Sequence, residues 1–179
     1  NFKARIYYDT LQGAFVAMAN DSESRTILGS ELIVYGRNAT STNLTVGEVV
    51  YVDSSGVDPY PVFRRAIADD PDIASATIGV ASHVIEPLTL GYVTRLGGVD
   101  MDVSGFDENA ILYVSPVDSG ELVSYAPRMP FYKRRVGRVI QPGSPGILGV
   151  DVEPFTGNDT EVALDGVLNG IVLNKLLIP

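Results

Sequence analysis

The chain has 179 residues, 45% of them hydrophobic, and a formal net charge of −9 from 22 acidic and 13 basic residues. That is ample apolar material for one mid-sized domain with its own core, and an acidic balance of this size repels phosphate backbones and anionic lipid, which argues against binding nucleic acid or a membrane surface. There is no cysteine, so disulfides, thiolate nucleophiles and Cys-based zinc sites are excluded together, and no run approaches the roughly 20 apolar residues that a membrane helix needs.

Residues 4–8, 14–18 and 32–35 are short runs rich in β-branched and aromatic residues, separated by turn-forming stretches at 9–13 and 20–25. The pattern predicts strands. A polar stretch, residues 37–43, reads as a connector or long loop, so residues 1–46 are expected to form an N-terminal β extension.

An internal repeat follows. Gly47-Glu48-Val49-Val50-Tyr51-Val52 has its counterpart in Asn109-Ala110-Ile111-Leu112-Tyr113-Val114; Ile78-Gly79-Val80 matches Val136-Gly137-Arg138; and the nine residues from Ile85 to Val93 match the nine from Ile140 to Leu148. The blocks keep their order. Each copy predicts a strand, a turn, a second strand, a third strand at the Ile/Val-Gly pair, then a Pro-containing turn into a Gly-led fourth strand. The expected fold is therefore all-β, with duplicated β-hairpin units forming a small barrel or sandwich. Repeat A is set at 47–107, repeat B at 108–154 and a C-terminal docking segment at 155–179.

Both faces of the first strand in each copy are apolar, which calls for cover on both sides, from the chain itself or from a neighbouring subunit. Val50, Val52, Leu112 and Val114 are accordingly interface candidates. So are Leu176, Leu177 and Ile178, since an apolar end of this kind is expected to dock on something. Residues 160–177 are the best helix candidate, but Gly166 and Gly170 interrupt them, and Asn169-Gly170 reads equally well as a hairpin turn.

No residue set points to catalysis, a cofactor or a metal. His83 is the only histidine and reads as a half-exposed residue at a strand end. The acidic groups Asp69-Asp70 with Asp72, Asp100 with Asp102, and Asp151 with Glu153 are the pairs that glycoside hydrolysis would need. The first reads as a solvated loop, and the others as ordinary solvent-facing strand positions. Loops 53–58 and 157–160 carry oxygen ligands without calcium-loop spacing. The sequons at Asn38, Asn43 and Asn158 read as coincidence. The clusters Arg64-Arg65 and Lys133-Arg134-Arg135, with Arg138, read as a solvated face or an intersubunit salt-bridge patch.

Residues 47–152 resemble a module of tailed-bacteriophage virion structural proteins, of the tail-fibre type. The phrases that carry the resemblance are Gly47-Glu48-Val49-Val50-Tyr51-Val52, Thr77-Ile78-Gly79-Val80-Ala81, Ile111-Leu112-Tyr113-Val114-Ser115, Ser119-Gly120-Glu121-Leu122, Ala126-Pro127-Arg128-Met129-Pro130 and Val136-Gly137-Arg138-Val139-Ile140. The resemblance implies a non-enzymatic virion protein, commonly homo-oligomeric (a homotrimer is expected), with other virion proteins and a host surface receptor as partners. Within the particle it implies a tail-fibre or tail-appendage segment. A capsid decoration protein is the alternative, and a carbohydrate-active enzyme a distant third.

Overall fold

The structure is a computed structural model and describes residues 5–10, 14–18, 25–27, 31–54 and 58–153. Those residues are almost entirely β, as the periodicity predicts. Three N-terminal strands, β1 (Arg5–Asp9), β2 (Ala14–Met18) and β3 (Arg25–Ile27), form their own antiparallel sheet in the order β1-β2-β3. The other nine share one sheet: β4 (Leu32–Asn38), β5 (Val49–Asp53), β6 (Val62–Arg65), β7 (Thr77–Ala81), β8 (Leu90–Met101), β9 (Ile111–Val114), β10 (Leu122–Val123), β11 (Arg135–Gln141) and β12 (Gly146–Asp151).

Five of these strands close on themselves. β4 runs parallel to β6, β6 pairs with β5, β5 with β7, β7 with β8, and β8 returns to β4. This barrel encloses Leu44, Val50, Phe63, Ala81, Ile85 and Val93, all 0–1% exposed. Thus β4 runs through Arg37 and Asn38, which the sequence assigned to a connector, and is a wall of the barrel rather than part of an extension. Asn38 is fully buried, and its side chain organises the loop that follows. Its Nδ2 donates to the carbonyls of Thr42 and Ile85 at 2.9 and 2.7 Å, while its Oδ1 accepts from the Thr40 amide and hydroxyl at 2.8 and 2.7 Å.

The two copies carry the same pairings. In the first, β5 pairs with β6 and β7, and β7 with β8; in the second, β9 pairs with β10 and β11, and β11 with β12. The registers also correspond. Val50 faces Gly79 and Tyr51 faces Thr77, skipping Ile78, while Leu112 faces Gly137 and Tyr113 faces Arg135, skipping Val136. Each copy opens on a residue with positive φ, Gly47 (93°) and Asn109 (65°). Their amides donate to the equivalent carbonyls of Ala81 and Val139, both at 2.9 Å. A left-handed backbone favours Gly or Asn, which is why a Gly/Asn match is physically conservative.

The long strand β8 joins the copies. Its first half pairs with β4 through Gly91↔Gly36, and its second half pairs with β12 through Met101↔Gly146. The second half of β8 therefore stands to the second copy as β4 stands to the first. No pairing between β8 and β10 closes a second barrel. Instead the inner residues Leu112, Val114, Val136, Val139 and Leu148 pack with Val49, Ala66, Ala68 and Val80 from the outside of the first barrel, forming one shared core. Backbone hydrogen bonds seal the seam: the Val49 amide to the Gly120 carbonyl (2.8 Å), Gly120 to Ala66 (2.7 Å) and Ala68 to Ser115 (2.9 Å).

One short helix departs from the sequence reading of Asp69–Asp72 as a plain loop. α1 (Pro71–Ala76) starts at Asp70, whose carboxylate accepts from the amides of Asp72 and Ile73. Asp followed by Pro is the capping pattern of a helix start; the helix is too short to give an apolar periodicity.

Candidate functional site

Three of the interface candidates lie in the interior. Val50 is fully buried in the barrel, and Leu112 and Val114 are fully buried in the shared core. Val52 is half-buried against the barrel core. The two-sided apolar character of β5 is met within the chain, with Val49 entering one core and Val50 the other. The fully buried Val50, Leu112 and Val114 therefore do not face a partner. Leu176, Leu177 and Ile178, the helix candidate 160–177 and the loop 157–160 lie outside the described residues.

Several of the acidic candidates are occupied by structural tasks. Asp53 and Asp58 bind Arg64 (2.7 Å) and Arg37 (2.6 Å), so the loop oxygens that could have served calcium neutralise guanidinium groups. Arg65 pairs with Glu48 at 2.8 Å, and Arg135 with Glu153. The basic clusters are thus tied down largely within the chain. Arg134 is 6% exposed and donates to the carbonyls of Thr77 (2.7 Å) and Glu153, linking the start of β7 to the segment after β12. Burial, then the nearby Arg95, pulls its pKa down against the pull of Glu153. Asp70 caps α1. Asp102 accepts from the amide and hydroxyl of Ser104, and these bonds, with one from Ser144, hold its carboxyl below the usual carboxylate range. A general acid needs the opposite shift. Among the described residues no group of three or more His, Asp or Glu is placed to hold a metal ion. His83 lies half-buried beyond the end of β7, its ring 6.0 Å from that of Tyr92. The Asn38 sequon is closed by burial, whereas Asn43 is exposed.

What remains is surface, which includes three patches. On the N-terminal sheet Ile6, Tyr8 and Phe15 are 67%, 53% and 57% exposed, with Tyr8 and Phe15 paired edge to face. On the barrel wall an aromatic row runs Tyr60, Tyr35, Tyr92, with centroids 5.8 and 4.9 Å apart. Asp58 fixes one end of this row, accepting from the Tyr60 amide while it holds Arg37. The third patch is the outer face of β4, β8, β12 and β11. There Leu32, Leu96 and Ile140 are about half exposed, and charged residues alternate with glycines. The sequence marked Asn38 only as a sequon and Arg134 only within a basic cluster, and did not distinguish this outer face, because their roles come from strand pairings far apart in the chain.

No family model, no curated protein and no solved structure matches this chain.

Proposed function

We propose that the chain is a non-catalytic structural module of a tailed-bacteriophage virion. Within the particle it is a segment of a tail fibre or related tail appendage, which assembles with copies of itself and with other virion proteins and positions the host contact. The reading rests on the resemblance across residues 47–152. The observation that carries it furthest is the use of many of the polar groups: Asp70 caps a helix, Arg37, Arg64, Arg65 and Arg135 pair with carboxylates, and Arg134 holds backbone carbonyls. That is the chemistry of a building block. Capsid decoration is a second reading, favoured by the fusion of both copies around one core, which gives a compact clamp.

The test is localisation in the particle with an antibody raised against the nine-stranded body. Label on tail appendages supports the first reading and label on the head surface the second. Absence of the protein from purified particles overturns both. Loss of polysaccharide cleavage on replacing Asp100 and Asp102, or Asp151 and Glu153, by Ala in a protein that still folds would replace both readings with an enzyme.

A further inference from the structure

The outer face of β4, β8, β12 and β11 has an unusual construction. Gly98 of β8 lies opposite Gly149 of β12, and Arg138 of β11 lies opposite Gly149 on its other side. A Cβ at Gly98 would meet only Ile147, at 3.8 Å, so the strand centre is open. Ile140 leans over Gly149 while remaining 55% exposed, and Leu96 and Leu32 are cross-strand neighbours at 47% and 49%. The result is a shallow, glycine-floored trough with apolar walls, of the kind that marks an interaction site.

Its charges have no ion-pair partners among the described residues. Arg37, Arg64, Arg65 and Arg135 each have a carboxylate partner, but Arg138 has none among the described residues and is exposed. Across the trough Asp100 faces Ile147 in the register. Glu31 packs over Gly97 of the same strand: the burial of Glu31 and the nearby Asp100 both raise the Glu31 pKa, and among the described residues no ion pair to a cation relieves either carboxylate. Among the described residues, one face thus holds the unpaired Arg138 on one side of an apolar centre and the unpaired Asp100 with Glu31 on the other, with the exposed Asp151 facing Leu96 at one end. A patch with both signs about its middle is complementary to itself under a two-fold rotation, as an isologous contact requires.

We infer that this face binds the same face of a second copy of the chain, with Arg138 of each copy meeting Asp100 and Glu31 of the other across Ile140, Ile147 and Leu96. The inference goes beyond the virion reading and does not depend on it.

The test uses the full chain, with mass measured by light scattering after size exclusion. The wild type runs as a two-fold assembly at micromolar concentration. Arg138→Asp and Asp100→Arg each put like charges across both halves of the contact and raise its dissociation constant at least tenfold. An equimolar mixture of the two variants restores opposite charges at both halves and regains the wild-type mass. Both sites are exposed, and unchanged circular dichroism checks that the variants fold. A monomeric wild type, an assembly indifferent to Arg138→Asp, or dissociation that mixing does not reverse each overturns the inference, and hands the face to a different virion protein or to solvent. The particle-labelling experiment is unaffected by any of these outcomes.

Discussion

Gly79 and Gly137 give the sharpest test of whether the two copies are physically equivalent. A Cβ added to Gly79 would come within 3.0 Å of the Thr94 carbonyl oxygen, and one added to Gly137 equally close to that of Gly149. Both obstacles are backbone in the neighbouring strand, so no side chain can swing aside. The strand must retreat by about 1 Å from a spacing of about 4.8 Å, which carries bonds of about 2.9 Å out of hydrogen-bonding range. Two ladder bonds at about 1 kcal/mol each, with about 1 kcal/mol more for the buried groups left unpaired, give about 3 kcal/mol for Gly79→Ala and the same for Gly137→Ala. In a chain of this size that lowers Tm by about 6–12 °C. Gly98→Ala is the control: its Cβ would make one ordinary contact, and the unfolded chain loses freedom, so its stability stays within about 0.5 kcal/mol of wild type. Urea unfolding followed by far-UV circular dichroism reads all three, and the shared core predicts a single transition for the nine-stranded body. A Gly137→Ala protein that unfolds at the wild-type midpoint beside a crippled Gly79→Ala would refute the equivalence. Two neutral variants would refute the crowding argument itself.

Two further substitutions probe groups whose structural roles the sequence did not show. Asn38→Ala removes four hydrogen bonds from a fully buried side chain; the expected loss is about 2–3 kcal/mol, read by thermal denaturation, and a loss below about 0.5 kcal/mol would mean that the loop after β4 is held by something else. For Asp102 the folded chain lowers the pKa below its ordinary 3.8, so folding favours the carboxylate. Its contribution is fully present above the unfolded value and disappears as pH falls through the lowered folded value. Asp102→Asn should therefore be less stable than wild type at pH 7, with the gap closing in acid; a gap that persists unchanged at pH 2 would show that the Ser104 turn does not depend on the charge.

How much of this was legible in the sequence depended on whether a feature was local. The strand at 14–18 and the matched blocks could be read because alternation, β-branching and turn residues leave their mark within a few positions. The Gly/Asn match at 47 and 109 was visible, and its positive φ gives it a cause. Asn38 was hidden because a buried, fully bonded Asn has the same composition as a solvated loop Asn; only the nearness of Ile85, 47 positions along the chain, separates them. Arg134 was hidden in the same way, since its partner carbonyl belongs to Thr77.

The misplaced interface has a more instructive origin. Apolar residues on both faces of a strand were correctly taken to demand cover on both sides, but the pattern cannot say who supplies it. In this chain β8 supplies the answer. Because one long strand ends the first copy and also serves as the leading strand of the second, the second copy starts already attached to the wall of the first barrel. It closes against that barrel's outer residues, Val49 and Val80 among them, and not on itself. Duplication therefore produced one body with a shared core, and it moved the question of assembly off the strands that looked sticky. The residues left to answer it lie on the opposite face, where Gly98 keeps the backbone open and neither Arg138 nor Asp100 has an ion-pair partner among the described residues.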